Sequence, residues 1–310
     1  MSDYGILLQQ ILNGLVLGSV YALVALGYTM VYGILQLINF AHGEVLMIGA
    51  MVAVTLVPPL LAAGVPPSLA LLVVVLAAIP VCAVLAVAIE RVAYRPLRNA
   101  PRLAPLITAI GMSIVLQTVA MIIWKPNPIV FPDLLPTEHV PVFGAILAPK
   151  QILILVVSAS MMAALLLLVN RTRLGRAMRA TAENPRIAGL MGVNANGVIA
   201  ATFAIGAALA AVAGVLVAMN YNIVHFSMGF VPGLKAFTAA VLGGIGNIAG
   251  AMLGGLLLGI IESLGAGYIG DLTGGFLGSH YQDIFAFAVL ILVLLFRPSG
   301  IMGERVADRA

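Results

Sequence analysis

The ionisable side chains able to do chemistry in this chain are few, and the densest group is QLINFAHGE at residues 36–44, which places Asn39, His42 and Glu44 between two apolar runs. Ionisable groups in such surroundings are costly and mark a cavity, a relay or a partner. A helix broken here would also offer backbone groups to a polar path. The competing reading is a structural cluster in which these groups satisfy one another. One His and one Glu do not make a zinc site without a third ligand. Glu262, near the end of an apolar run, raises the same question more weakly, and His225, after Asn220, Tyr221 and Asn222 at an external end, reads as a solvated surface residue. Cys82 is the single cysteine, so no intrachain disulfide or Cys-based metal set is available, and a small core residue is the expected role. No nucleophile stands beside a base, which argues against an enzyme and assigns no catalytic, cofactor-binding or metal-binding residue.

The elements that must hold these residues are membrane helices. Of 310 residues, 62% are hydrophobic and 8% charged, and the mean hydropathy is +1.15. A soluble domain carries about 25% charged residues. A bilayer core of roughly 30 Å needs about 20 apolar residues in a helix, and runs of that kind recur along the chain. They are unbroken on every helical face, which excludes the alternating pattern of a β-barrel. The start of the chain lacks a positive segment and reads as the first membrane helix rather than a signal peptide. The fold class expected is all-α, a polytopic transmembrane bundle of about eight spans with one or more broken or re-entrant helices.

Charge sets the topology. Twelve of the fifteen Lys and Arg residues fall in three clusters: Arg91, Arg95, Arg98 and Arg102; Arg171, Arg173, Arg176, Arg179 and Arg186; and Arg297, Arg305 and Arg309. The positive-inside rule makes all three cytoplasmic. Spans are expected near 6–31, 44–57 and 68–89 before the first cluster, and at 103–124 and 151–169 between the first two. An external loop rich in proline separates the latter pair. Three more are expected near 198–220, 236–265 (as two pieces or one long one) and 281–296. The N-terminus is then external and the C-terminus cytoplasmic.

Gly246, Gly250 and Gly254 recur every fourth residue, and Gly255 and Gly259 repeat the spacing, so another backbone can approach closely. This suits ordinary helix packing, a subunit contact or a pathway wall. Gly244, Gly246 and Ala249 match a dinucleotide-binding pattern only formally, without its strand or its acidic partner. The chain has no GxxxxGK[ST] loop, so transport driven by ATP would need a separate ATPase. Within the second cluster, Asn184 and Pro185 form a cap and first-turn pair ahead of Ile187, Leu190 and Met191, the pattern of a short amphipathic helix ending at Gly192.

GYTMVYGILQLINFAHGE (27–44), GRAMRATAENPRIAGLMGVN (175–194), KAFTAAVLGGIGNIAGAMLGG (235–255) and FRPSGIMG (296–303) together resemble the branched-chain amino-acid ABC transporter permease family, in the form of its shorter permease, over essentially the whole chain. The resemblance implies a single transmembrane permease domain over 1–310 in the inner (plasma) membrane of a prokaryote, with a periplasmic N-terminus. It implies as partners a second homologous permease, two cytoplasmic ATPases and a periplasmic substrate-binding protein, with membrane lipid around them. No nucleic acid or cofactor is involved. It marks the loop at about 171–194 as the segment that couples to an ATPase, through Gly175, Arg176, Arg179, Glu183, Asn184 and Gly192. Asn39, His42 and Glu44 are the candidate lining of the translocation path. Related permeases carry other amino acids, amides or urea. The rival reading is an ion-coupled secondary transporter with Glu44 or Glu262 as the relay.

Overall fold

In lipid a backbone N–H has no partner but the carbonyl one turn back, so long apolar stretches fold as helices. The computed structural model describes residues 3–98, 100–101, 103–136, 138, 140–142, 144–274, 282–297 and 299–303. Arg102, Tyr281, Pro298, Arg305 and Arg309 lie outside the described residues.

The first half of the chain forms α1 (Asp3–Leu35), α2 (His42–Ala62), α3 (Pro67–Ile89), α4 (Leu103–Trp124) and α5 (Pro149–Arg171). Short helices α6 (Arg173–Glu183) and α7 (Pro185–Leu190) follow, then α8 (Ala195–Tyr221), α9 (Phe230–Gly243), α10 (Ile248–Leu272) and α11 (Gln282–Phe296). Seven of these are long and apolar enough to span a membrane, and α9 and α11 are shorter apolar helices. This is the polytopic helical bundle expected. Region 236–265 resolves into two pieces, so four apolar helices rather than three follow Arg186. The odd count expected after the second cluster is thereby corrected: three spans would leave the chain at the opposite end of the bundle, and four return it to the end it left. The break falls at Gly244 and Gly246, whose φ angles of 106° and 98° end α9 and turn the chain into α10.

The proline-rich loop is not featureless. Strands β1 (Ile129–Val130), β2 (Val140–Val142) and β3 (Ala145–Leu147) lie in it, and β4 (Ile223–Val224) follows α8. β1 pairs antiparallel with β4, Ile129 opposite Val224, and β2 pairs antiparallel with β3. The Lys150 ammonium donates to the Asn220 carbonyl at 3.2 Å and to Asn222 Oδ1 at 3.1 Å, closing the end of the bundle remote from the arginines.

Burial separates centre from rim. In the apolar windows of α1 and α8, 89% and 72% of residues are buried, against 22% in α4, so α1 and α8 form the core and α4 faces outward. α1 runs antiparallel to α10. A methyl on Gly18 would sit 2.8 Å from Leu256 Cα, and one on Gly14 would sit 2.6 Å from Ile260 Cα. Gly250 and Gly254 instead face α9 at Gly243 and Ala239. The glycine series therefore serves packing within the chain, with backbones close enough for extensive dispersion contact.

One arrangement occurs twice. α1 ends at Gln36 and α8 at Asn222, both in the left-handed region at φ 53° and 57°. Each is followed by a non-helical stretch and then a new helix, α2 or α9. α1 lies along α10 as α8 lies along α3. The two halves run in opposite directions, the pattern of an inverted repeat.

At the arginine-rich end, fully buried Glu90 accepts from Arg95 Nε at 3.2 Å and Nη2 at 3.0 Å, and from Arg98, whose Nη1 donates to Asn196 Oδ1 at 2.6 Å. The first cluster thereby ties the end of α3 to the start of α8. Ile301 and Met302 of the FRPSGIMG motif close the end of α9: Ile301 N–H donates to the Leu242 carbonyl and Met302 N–H to the Gly243 carbonyl, both at 2.9 Å.

Candidate functional site

The break between α1 and α2 brings residues 36–41 back into the bundle, so α2 starts deep inside it. His42 lies between Gly27 of α1 and Gly206 of α8, and its ring meets Tyr28 edge-on at 5.0 Å. Tyr94 donates to Asn39 Oδ1 at 2.8 Å. Glu44, in the first turn of α2, accepts from Ser113 Oγ at 2.9 Å and Gln117 Nε2 at 2.7 Å, both midway along α4. Its second oxygen, Oε2, has no hydrogen-bond partner and faces Gly229 at the start of α9. The N-terminal turns of α2 and α9 therefore meet inside the bundle, with their positive ends around one carboxylate. All three expected residues are buried: Asn39 sits against the end of α3, and His42 and Glu44 follow it into α2. Cys82 is a core residue, its thiol 3.5 Å from the Val45 carbonyl.

A cavity of substantial size lies elsewhere, toward the end remote from the arginines, between α1, α8, α9 and α11. It holds about 350 Å³ and has apolar walls that include Val16, Val20, Val217 and Val231. Lys235 from α9 lies at its floor. The ammonium donates to Glu262 Oε1 and to Asp283 Oδ1, each at 2.6 Å, and reaches the Tyr21 hydroxyl at 3.4 Å. Asp283, Tyr21 and Lys235 line the cavity, whereas Glu262 is 1% exposed behind Lys235. His225 is half-buried in the cavity wall, with Nδ1 3.2 Å from Ser227 Oγ, rather than a free surface residue.

Asn39, His42 and Glu44 do not line this cavity. The polar set of Lys235, Asp283 and Tyr21 was missed by sequence reasoning. The available signal was Lys235 itself, a lone cation inside a hydrophobic segment, where an ionisable residue marks a site by default.

Residues 171–194 fold as two helices rather than one. Thr172 caps α6 by accepting from Gly175 N–H at 3.1 Å, and Asn184 caps α7 by accepting from Arg186 and Ile187 N–H at 3.0 and 3.1 Å. Gly175 is pressed against the Leu168 and Val169 carbonyls at the end of α5, and Arg179 donates to the Val169 carbonyl. No ion pair joins Arg179 to Glu183 among the described residues. Arg176 and Glu183 are exposed. Gly192, at φ 84°, turns the chain away from α7. The tip of this hairpin exposes Leu190 (86%) and Met191 (80%) beside the arginines.

A bundle of membrane helices with a buried break, a charged cavity toward one end and a basic, apolar-tipped hairpin at the other has the form of a transport permease. Residues 10–294 match the family described as branched-chain amino acid transport system / permease component, and the chain belongs to that family. It is 52% identical over 309 residues, 97% of each chain, to the high-affinity branched-chain amino acid transport system permease protein BraD of Pseudomonas aeruginosa. To the corresponding protein LivH of Escherichia coli (strain K12) it is 47% identical over 307 residues, again 97% of each chain. A probable branched-chain amino acid transport permease protein LivH of Methanocaldococcus jannaschii is 32% identical, covering 95% of this chain and 92% of that one.

Proposed function

We propose that this chain is a permease subunit of an ATP-driven importer in a prokaryotic plasma membrane, carrying branched-chain or related amino acids delivered by a periplasmic binding protein. It pairs with a second, homologous permease, and two ATPases dock on the arginine-rich, cytoplasmic face. The names of the relatives above support the substrate class and favour the importer over an ion-coupled transporter.

The observation that carries the coupling role is the α6–α7 hairpin. Ile187, Leu190 and Met191 present an apolar tip among arginines, the composition of a surface that another protein covers. Gly175 and Arg179 fasten the base of the hairpin to the last carbonyls of α5, so displacement of the tip is passed to a span. Asn184 and Gly192 set where α7 begins and ends, and Arg176 and Glu183 complete the charged face. Closure of the ATPases would drive this two-state element. The break at Asn39, His42 and Glu44 is the place in the path where the bundle yields, since backbone interrupted in mid-helix can be re-satisfied in a second arrangement.

Affinity purification of the tagged chain from native membranes, with mass spectrometry of the proteins that accompany it, tests this reading. A second permease and ATPase subunits are expected. A homo-oligomer that transports with no ATPase contradicts it.

A further inference from the structure

The cavity and the charges at its floor suit one class of ligand. Lys235 presents an ammonium and Asp283 a carboxylate side by side, the counterparts of the two charges of an α-amino acid. The walls above them are mostly apolar, formed by Val16, Val20, Val217, Met228, Val231 and Pro232, with His225, Ser227 and Gln282 adding polar groups. The volume of about 350 Å³ matches about twelve waters at ~30 Å³ each, room for one aliphatic amino acid.

Resting on the importer reading, we propose that this cavity binds the transported amino acid, whose zwitterionic head inserts between Lys235 and Asp283. The substrate carboxylate takes the contact that Asp283 now makes with Lys235, and the released Asp283 accepts from the substrate ammonium. Ionic contacts are exchanged rather than lost, so no unpaired charge is buried in either state. The two acids have different duties. Glu262, 1% exposed on the side of Lys235 away from the cavity, holds the ammonium in place whether or not the site is filled. Asp283 is 44% exposed on the cavity side. Tyr21 supplies a hydroxyl at 3.4 Å and a ring face 5.7 Å from the ammonium. The mostly apolar walls then select the side chain.

A three-helix ion-pair lock without a ligand is the competing account, and side-chain selectivity separates the two. The full importer, reconstituted with its binding protein and ATP, is assayed for uptake of radiolabelled leucine and valine, each saturating the binding protein. Asp283→Asn is expected to lower leucine uptake at least tenfold in complexes purified at wild-type stoichiometry. Val231→Phe narrows the cavity without touching the charges and is expected to lower the leucine-to-valine rate ratio at least threefold, while Val231→Ala raises it. An unchanged ratio in both Val231 variants overturns the proposal, even if Asp283→Asn is inactive, because a lock has no reason to sense side-chain size. So does leucine uptake by Asp283→Asn within twofold of wild type. Failure of the wild-type importer to carry leucine, isoleucine or valine would instead overturn the functional reading beneath it.

Discussion

Gly43 and Gly229 bring the first turns of α2 and α9 into backbone contact in the middle of the bundle: a methyl on Gly43 would sit 2.5 Å from the Gly229 carbonyl oxygen. The two helices start where the two halves of the chain meet, and only side chains the size of glycine permit that approach. Gly43→Val is expected to separate them at a cost of about 1–3 kcal/mol, the usual penalty of overpacking. Thermal unfolding of the detergent-solubilised protein checks this. A melting temperature equal to wild type would mean that the junction is loose.

Glu44 is expected to matter for transport more than for assembly. Glu44→Gln keeps an acceptor for Ser113 and Gln117 but removes the charge between the two helix starts. Uptake should fall several-fold while the purified complex retains its subunits. Unchanged uptake kinetics would return residues 39–44 to a purely structural role.

The α6–α7 hairpin carries a separate expectation. Leu190→Asp, on a side chain 86% exposed, removes no internal contact, so expression should be normal while substrate-stimulated ATP hydrolysis and uptake are lost together. Replacing Arg179 and Glu183 should uncouple in the same way, through the fastening to α5. Normal stimulated hydrolysis in both variants would move the docking surface elsewhere.

Removal of Glu262 is expected to be worse than removal of Asp283 for folding. Glu262→Ala leaves Lys235 in the bundle with only a half-exposed partner. Breaking a buried pair from one side costs about 3–5 kcal/mol, so loss of yield is expected. Comparison of the two variants by size-exclusion profile and melting temperature decides it.

Much of this was legible in the sequence because lipid imposes strict rules. The span at 103–124 falls on α4 residue for residue, and the described arginines of the clusters marked one end of the bundle. Asn184 and Pro185 announced the start of α7 correctly. What stayed hidden depends on contacts far apart in the chain. Lys235 meets Glu262 and Asp283 only once α9, α10 and α11 are packed, and in sequence it reads as one polar residue ahead of a glycine-rich run. The start of α2 was visible as a polar interruption, but its depth is set by Ser113 and Gln117, some seventy residues away. Glu90 drew no notice because its partners, Arg95 and Arg98, looked like topology signals alone.

The most direct test of the central claim is leucine uptake into proteoliposomes holding this chain with its partner permease and ATPases. Accumulation that requires both ATP on the ATPase side and loaded binding protein on the other is the predicted result. Uptake driven by an ion gradient in liposomes holding this chain without ATPases would contradict it.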